Sequence, residues 1–356
     1  MVDKRHEITL KQLTIFGISA QIGLGILTLP SNLAKKTGHD GWIVVAVAGC
    51  IMLLLSIFIA LLINRHPNNS ILDINILLYG KYFGMFFNFV FICYILFTTS
   101  LSSRLFAEMI KISVLSQTPL IVTSLFIFIP TIYQITKGLK IICRFASLLI
   151  LAHITLILTF LLIIKDVRIT YLMPVAKSGI ITIFKNIPNA FFSFLGIELI
   201  TIFYPNVTNK NNLVKWVTIE SIYIAIFYII VVAFTTALFG ENKLKMIIFA
   251  MYSVERAIKV PILERLDIFF IVFWFPIMAG SVRSYFFSSY YCIAKLFKIR
   301  REKLLIAIVF IVVMIIGRIP KNLEDIFTYM NYAALLGAAN ILFIAFSFFI
   351  SLIRRR

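Results

Sequence analysis

Two apolar stretches carry the residues best placed to do chemistry. Residues 15–30 read I-F-G-I-S-A-Q-I-G-L-G-I-L-T-L-P, with Gly23, Leu24 and Gly25 near the middle. Two glycines one residue apart weaken a helix, and in lipid a bare backbone is tolerated only where it faces protein or a polar cavity. A break there frees amide N–H groups and the positive end of a half-helix dipole, which suits a carboxylate. Residues 189–205 repeat the anomaly as N-A-F-F-S-F-L-G-I-E-L-I-T-I-F-Y-P: Gly196 interrupts, Glu198 follows and Pro205 ends the run. Opened carbonyls around Phe194, Leu195 and Gly196, with Glu198 nearby, suit an ammonium. Together the stretches offer both ends of a small zwitterion. The competing explanation of the glycine pair is close helix packing.

Hydroxyls at helical spacing could wall such a site. Tyr94, Thr98 and Ser102 stand at i, i+4 and i+8, on one helix face, and Ser281, Ser284, Tyr285 and Ser288 form a second group. The ordinary role of such hydroxyls is hydrogen bonding between helices. A carboxyl inside an apolar span faces the bundle interior. Glu198 therefore either carries a coupling proton or fixes the broken helix by binding local amides or an arginine, Arg283 and Arg104 being available. Glu220 is expected nearer the end of its span, reaching Lys215 or the interface. No metal site and no cofactor are expected: His6, His39, His66 and His153 are scattered, and Cys50, Cys93, Cys143 and Cys292 lack close spacing and read as buried thiols. No phosphate-cradling glycine loop or paired carboxylates argue for an enzyme.

The elements that must position these residues are membrane helices. The chain is 61% hydrophobic and 14% charged, against about half and a quarter for a soluble domain. Its apolar runs are roughly 20 residues long and do not alternate. Ten spans are expected, near 9–31, 41–63, 82–107, 119–136, 141–164, 187–204, 216–239, 266–293, 303–319 and 330–353. The chain then forms one all-α polytopic membrane domain, 1–356. Interruptions in the first and sixth spans suggest a 5+5 inverted repeat, about 9–164 and 187–353, with discontinuous helices at matching positions. The charged residues 1–11 lead into a full-length span without a small-residue cleavage site, which reads as an uncleaved first helix. A net charge of +19 gathers at span ends, as orientation signals do, and so argues against nucleic acid. With both termini cytoplasmic, the inner segments hold eighteen basic residues against four acids. The mixed charges of residues 240–265 are expected to form a short solvated surface helix.

Four stretches carry a resemblance. Residues 8–30, I-T-L-K-Q-L-T-I-F-G-I-S-A-Q-I-G-L-G-I-L-T-L-P, are followed by G-H-D-G-W-I. Residues 71–84 read I-L-D-I-N-I-L-L-Y-G-K-Y-F-G, residues 193–205 S-F-L-G-I-E-L-I-T-I-F-Y-P, and residues 318–327 R-I-P-K-N-L-E-D-I-F. In this order and spacing the set resembles the B subunits of spore germinant receptors, a branch of the amino acid–polyamine–organocation transporter superfamily. The resemblance implies a place in the spore inner membrane beside an A subunit and a lipoprotein C subunit. It implies sensing of a small-molecule germinant, often an amino acid, that triggers germination. It maps the binding region onto Gly23, Leu24, Gly25, Leu195 and Gly196, with Tyr94, Thr98 and Ser284 around them by position. A proton-coupled secondary amino-acid transporter is the alternative, because one fold hosts both.

Overall fold

The computed structural model describes residues 4–23, 25–258 and 266–354. It is nearly all helix: α1 Leu10–Gln21, α2 Gly25–Thr37, α3 Gly41–Arg65, α4 Ile71–Ser113, α5 Leu120–Lys137, α6 Leu139–Leu162, α7 Ile180–Phe194, α8 Ile200–Phe203, α9 Leu213–Met246, α10 Ala250–Ala257, α11 Leu266–Phe297, α12 Glu302–Ile316 and α13 Leu323–Ile353. Local chemistry sets several ends. A capping box starts α1, where Gln12 N donates to Thr9 Oγ1 (3.3 Å) and Thr9 N to Gln12 Oε1 (3.0 Å). Asn322 caps α13 by accepting from Asp325 N at 2.8 Å.

The outer face of the bundle is apolar. Leu151, Leu158, Ile311 and Phe346 are each more than half exposed, a surface that only lipid satisfies. Six described helices are long and apolar enough to cross a membrane, and Ile180–Phe194 with Ile197–Asn206, bent by 49°, makes up to seven. The expected ten spans are met in part. The first is divided between α1 and α2, α12 has only 15 residues, and α11 includes residues whose side chains lie outside the described set.

Connections gather at two ends. At one, Lys140 N donates to Arg5 O (3.1 Å), Arg5 pairs with Glu302 (3.5 Å), Lys295 bonds Asp73, and Arg354 Nη1 donates to Leu78 O. Both described chain ends therefore lie at the same end of the bundle. Three expectations change. Residues 71–79, expected as part of a polar connection, are helical and precede a kink at Gly80 (φ 82°). In the connection after α9, Glu255 is buried rather than solvated, accepting from Thr159 Oγ1 at 2.7 Å, and burial pushes its carboxyl up to about 7. Lys259, Glu264 and Arg265 lie outside the described residues. Cys143 and Cys292 are buried, but Cys50 and Cys93 stand on the exposed outer face, since apolar surroundings here include lipid.

At the opposite end a strap, residues 164–179, folds over the turn between α2 and α3. Asp40 accepts from Ala176 N and Ser178 N, both at 2.8 Å. His39 lies between Pro174 O (2.8 Å from Nε2) and Glu241 Oε2 (3.1 Å from Nδ1). Both ring nitrogens face acceptors, so only the imidazolium satisfies both. Burial pulls the His39 pKa down, but Pro174, Glu241 and Asp40 together raise it above its ordinary value. A raised histidine contributes stability fully below its unfolded value of about 6.5 and loses it as pH climbs through the folded value. The thermal midpoint of purified protein should therefore fall between neutral and alkaline pH. His39→Gln should flatten that slope, and parallel slopes in the two proteins would contradict the assignment.

Candidate functional site

Both interruptions are present. Ile22 N closes α1 on Ile18 O at 2.8 Å, Ile22 itself is extended (φ −82°, ψ 97°), and α2 starts at Gly25. Leu24 lies outside the described residues. The freed Gln21 carbonyl accepts from Tyr228 Oη at 2.8 Å. In the second break α7 stops at Phe194, Leu195 is extended, and Gly196 takes φ +127°, a conformation L side chains rarely adopt. The breaks touch: a Cβ on Gly196 would lie 3.0 Å from the Ala20 carbonyl carbon. Packing also demands the first glycine pair. A Cβ on Gly23 would fall 2.1 Å from Ser281 Oγ, and one on Gly25 would fall 2.8 Å from Ser193 Oγ and 3.1 Å from Ser193 Cα. Break and close packing are thus the same feature, because a backbone without side chains can both end a helix and admit a neighbour.

Glu198 is fully buried behind the second break. Its Oε1 accepts from Tyr94 Oη (2.7 Å) and Tyr285 Oη (2.8 Å), and its Oε2 from Gly196 N (2.8 Å). Local amide binding is the expected structural role; the expected arginine is not a partner. Arg104 pairs with Glu108 at 2.7 Å, and Arg283 lies over the Phe145 ring, 4.7 Å from its centroid. On α11 Arg283 is two residues from Tyr285 and so faces away from Glu198, and on α4 Arg104 lies ten residues, about 15 Å along the axis, beyond Tyr94. Glu220 also departs from expectation. It is fully buried, away from Lys215 and the interface, and accepts from Gln21 Nε2 at 2.8 Å.

A void of about 20 Å³ lies where the breaks meet. Gly23, Gly25, Thr98 and Leu195 line it, with Ser102, Ser281 and Tyr285 from the two hydroxyl groups. Tyr94, Gly196 and Glu198 form the layer behind, joined through Glu198. Ser284 is buried but is not among the lining residues, and Ser288 donates to Ser284 O at 2.8 Å. Ala20, Gln21 and Phe192 complete the lining and were missed. Gln21 carried a signal, as a polar side chain inside an apolar span; Phe192 and Ala20 carried none. Phe192 also borders a cavity of about 100 Å³ between α2, α7 and α13, which shares Lys35 and Lys36 with an open cavity of about 370 Å³ beside the strap. These cavities form a series from the strap end toward the breaks.

Solved structures share this architecture. MhsT in complex with L-phenylalanine superposes with a TM-score of 0.67 at 14% identity, covering 95% of this chain and 89% of that one. Mhp1, a nucleobase-cation-symport-1 family transporter in a closed conformation with bromovinylhydantoin bound, gives 0.68 at 13% identity, over 95% and 78%. At such identities the fold alone is shared. Among sequences, spore germination protein B2 of Bacillus subtilis (strain 168) is 24% identical over 98% of this chain and 96% of its own length. Spore germination protein YndE of the same organism is 26% identical over 92% and 91%. GerQB of Bacillus cereus is 26% identical over 72% and 71%. The family model described as spore germination protein matches residues 7–326. With that match over most of its length, the chain belongs to the spore germination protein family.

Proposed function

We propose that this chain is the B subunit of a nutrient germinant receptor in the spore inner membrane, with both termini cytoplasmic and A and C subunits as partners. It binds a small zwitterion, an amino acid, between the broken helices. Gly23, Leu24 and Gly25 receive the carboxylate on their amides. Carbonyls at the end of α7 receive the ammonium, and Thr98, Ser102, Ser281 and Tyr285 wall the site. Glu198 holds Gly196 and both tyrosines in place.

The observation that carries this reading is the meeting of the two breaks around one void, lined by Gly23 and Gly25 of the first and Leu195 of the second. At about 20 Å³ that void holds about one water molecule, so an amino acid enters only when the helices part. A solute that binds the parted state better shifts the population toward it, which is what a receptor passes to its partners. The second reading, a proton-coupled transporter, draws on the two buried carboxyls, Glu198 and Glu220, that flank the breaks.

Deleting the gene distinguishes this role. Spores should ignore the cognate nutrient yet still germinate with dipicolinate supplied directly; a normal nutrient response in a strain without paralogues would refute the receptor reading. Accumulation of an amino acid against its gradient by the protein alone in vesicles would instead establish the transporter.

A further inference from the structure

A cluster of buried polar groups centred on Glu220 grips the end of α1 and meets the site above only at Gln21. Glu220 reaches α1 only because position 17 is glycine: a Cβ there would fall 2.0 Å from Glu220 Oε1. Oε1 accepts from Gln21 Nε2 at 2.8 Å, while Oε2 is buried with no hydrogen-bond partner. Among the described residues no basic side chain lies within 4.0 Å of this carboxyl. Its neighbours make the deficit larger. The last turn of α1 adds the negative end of a helix dipole; its Gly17, Ile18 and Gln21 carbonyls accept from Gln21 Nε2, Ile22 N and Tyr228 Oη, none of them a positive group. A buried carboxylate without a positive partner is among the costliest arrangements a protein can hold.

We infer that Glu220 and the end of α1 form a site for a single positive charge, a proton or an alkali-metal cation, which locks α1 to α9. Gln21 connects this site to the void, since its side chain lines the void and donates to Glu220. A change at Gln21 on solute entry is felt at Glu220, and filling of the cation site is felt at the break. That coupling rests on the proposed solute site; the cation site itself does not. Its titratable surroundings on α9 are Tyr223, Tyr228 and the exposed Lys215; on α6 His153, buried against the rings of Tyr223 and Phe227; on α11 Arg283, buried beside the contact of Gly280 with Ser19 of α1; and across the break Glu198 with Tyr94 and Tyr285. The elements α1 and α3 face it with uncharged groups, Gln21 from α1 and Ser56, which accepts from Ser221 of α9 at 2.8 Å.

The test needs no solute. Wild-type protein and Glu220→Gln in neutral-lipid nanodiscs are melted across pH, and in sodium, potassium or choline chloride at equal ionic strength. Comparing the two proteins cancels the contribution of His39. A proton at Glu220 predicts a difference in unfolding equilibrium that changes by up to tenfold per pH unit and ignores the cation. An alkali cation predicts a saturable rise of the midpoint over choline in wild type only. Superimposable dependences in the two proteins overturn the inference. Should Glu220→Gln not assemble, Glu220→Ala with Gly17→Ala replaces it, since the added methyl occupies the space the carboxyl leaves.

Discussion

Glu198→Ala should cost the protein about 2 kcal/mol or more and leave little assembled material. The substitution strands two buried donors, Gly196 N and one of the two tyrosine hydroxyls, since Tyr94 Oη and Tyr285 Oη stand 3.2 Å apart and one can donate to the other. Each buried donor left unsatisfied costs about 1–3 kcal/mol. Partners found within a membrane-embedded unfolded state reduce such costs, which places the total near the lower bound. Glu198→Gln keeps an acceptor oxygen for the tyrosines and loses the bond to Gly196 N. It should assemble, with a midpoint between those of wild type and the alanine variant. Thermal melts followed by size-exclusion chromatography measure both. Equal midpoints for wild type and Glu198→Ala would remove Glu198 from the structural role given to it here.

Gly196→Val should be the most damaging single substitution at the breaks, at about 4 kcal/mol or more. Two costs combine. The backbone at φ +127° strains any L side chain by about 1–3 kcal/mol, and the new side chain meets the Ala20 backbone and Gln21 Cγ at 3.0 Å. Gly25→Ala meets a different obstacle, Ser193, whose Oγ stands 2.8 Å and Cβ 3.2 Å from the added atom. Ser193→Gly removes the Oγ and Cβ contacts but not the one with Cα at 3.1 Å, so it should recover part of the Gly25→Ala loss and none of the Gly196→Ala loss. A double-mutant cycle on thermal midpoints reads that coupling. Recovery of Gly196→Ala by Ser193→Gly would show that the two breaks do not differ as described.

The interruptions were legible because they are local. Gly23, Gly25 and Gly196 each spoil a helix wherever the chain places them, and uninterrupted apolar runs declare their length without reference to neighbours. The hydroxyl stripe of Tyr94, Thr98 and Ser102 was legible for the same reason, since helical spacing alone puts them on one face. The count of spans was less legible. The 15-residue α12 sits where residues 303–319 suggested a full span, and the helix over residues 71–79 was taken for a connection.

What the sequence by itself determined is the class of molecule and the two places where its helices fail. What only the tertiary structure decided is which groups meet there. Glu198 finds Tyr94 and Tyr285, 104 and 87 residues away, and not an arginine; Glu220 finds Gln21, 199 residues away. Such pairings depend on how far each helix is turned about its own axis. In a soluble helix an apolar stripe fixes that angle, but a membrane helix is apolar on the lipid side and the core side alike. Hydropathy therefore cannot say which face of α4, α9 or α11 looks inward, and only packing against the other helices does.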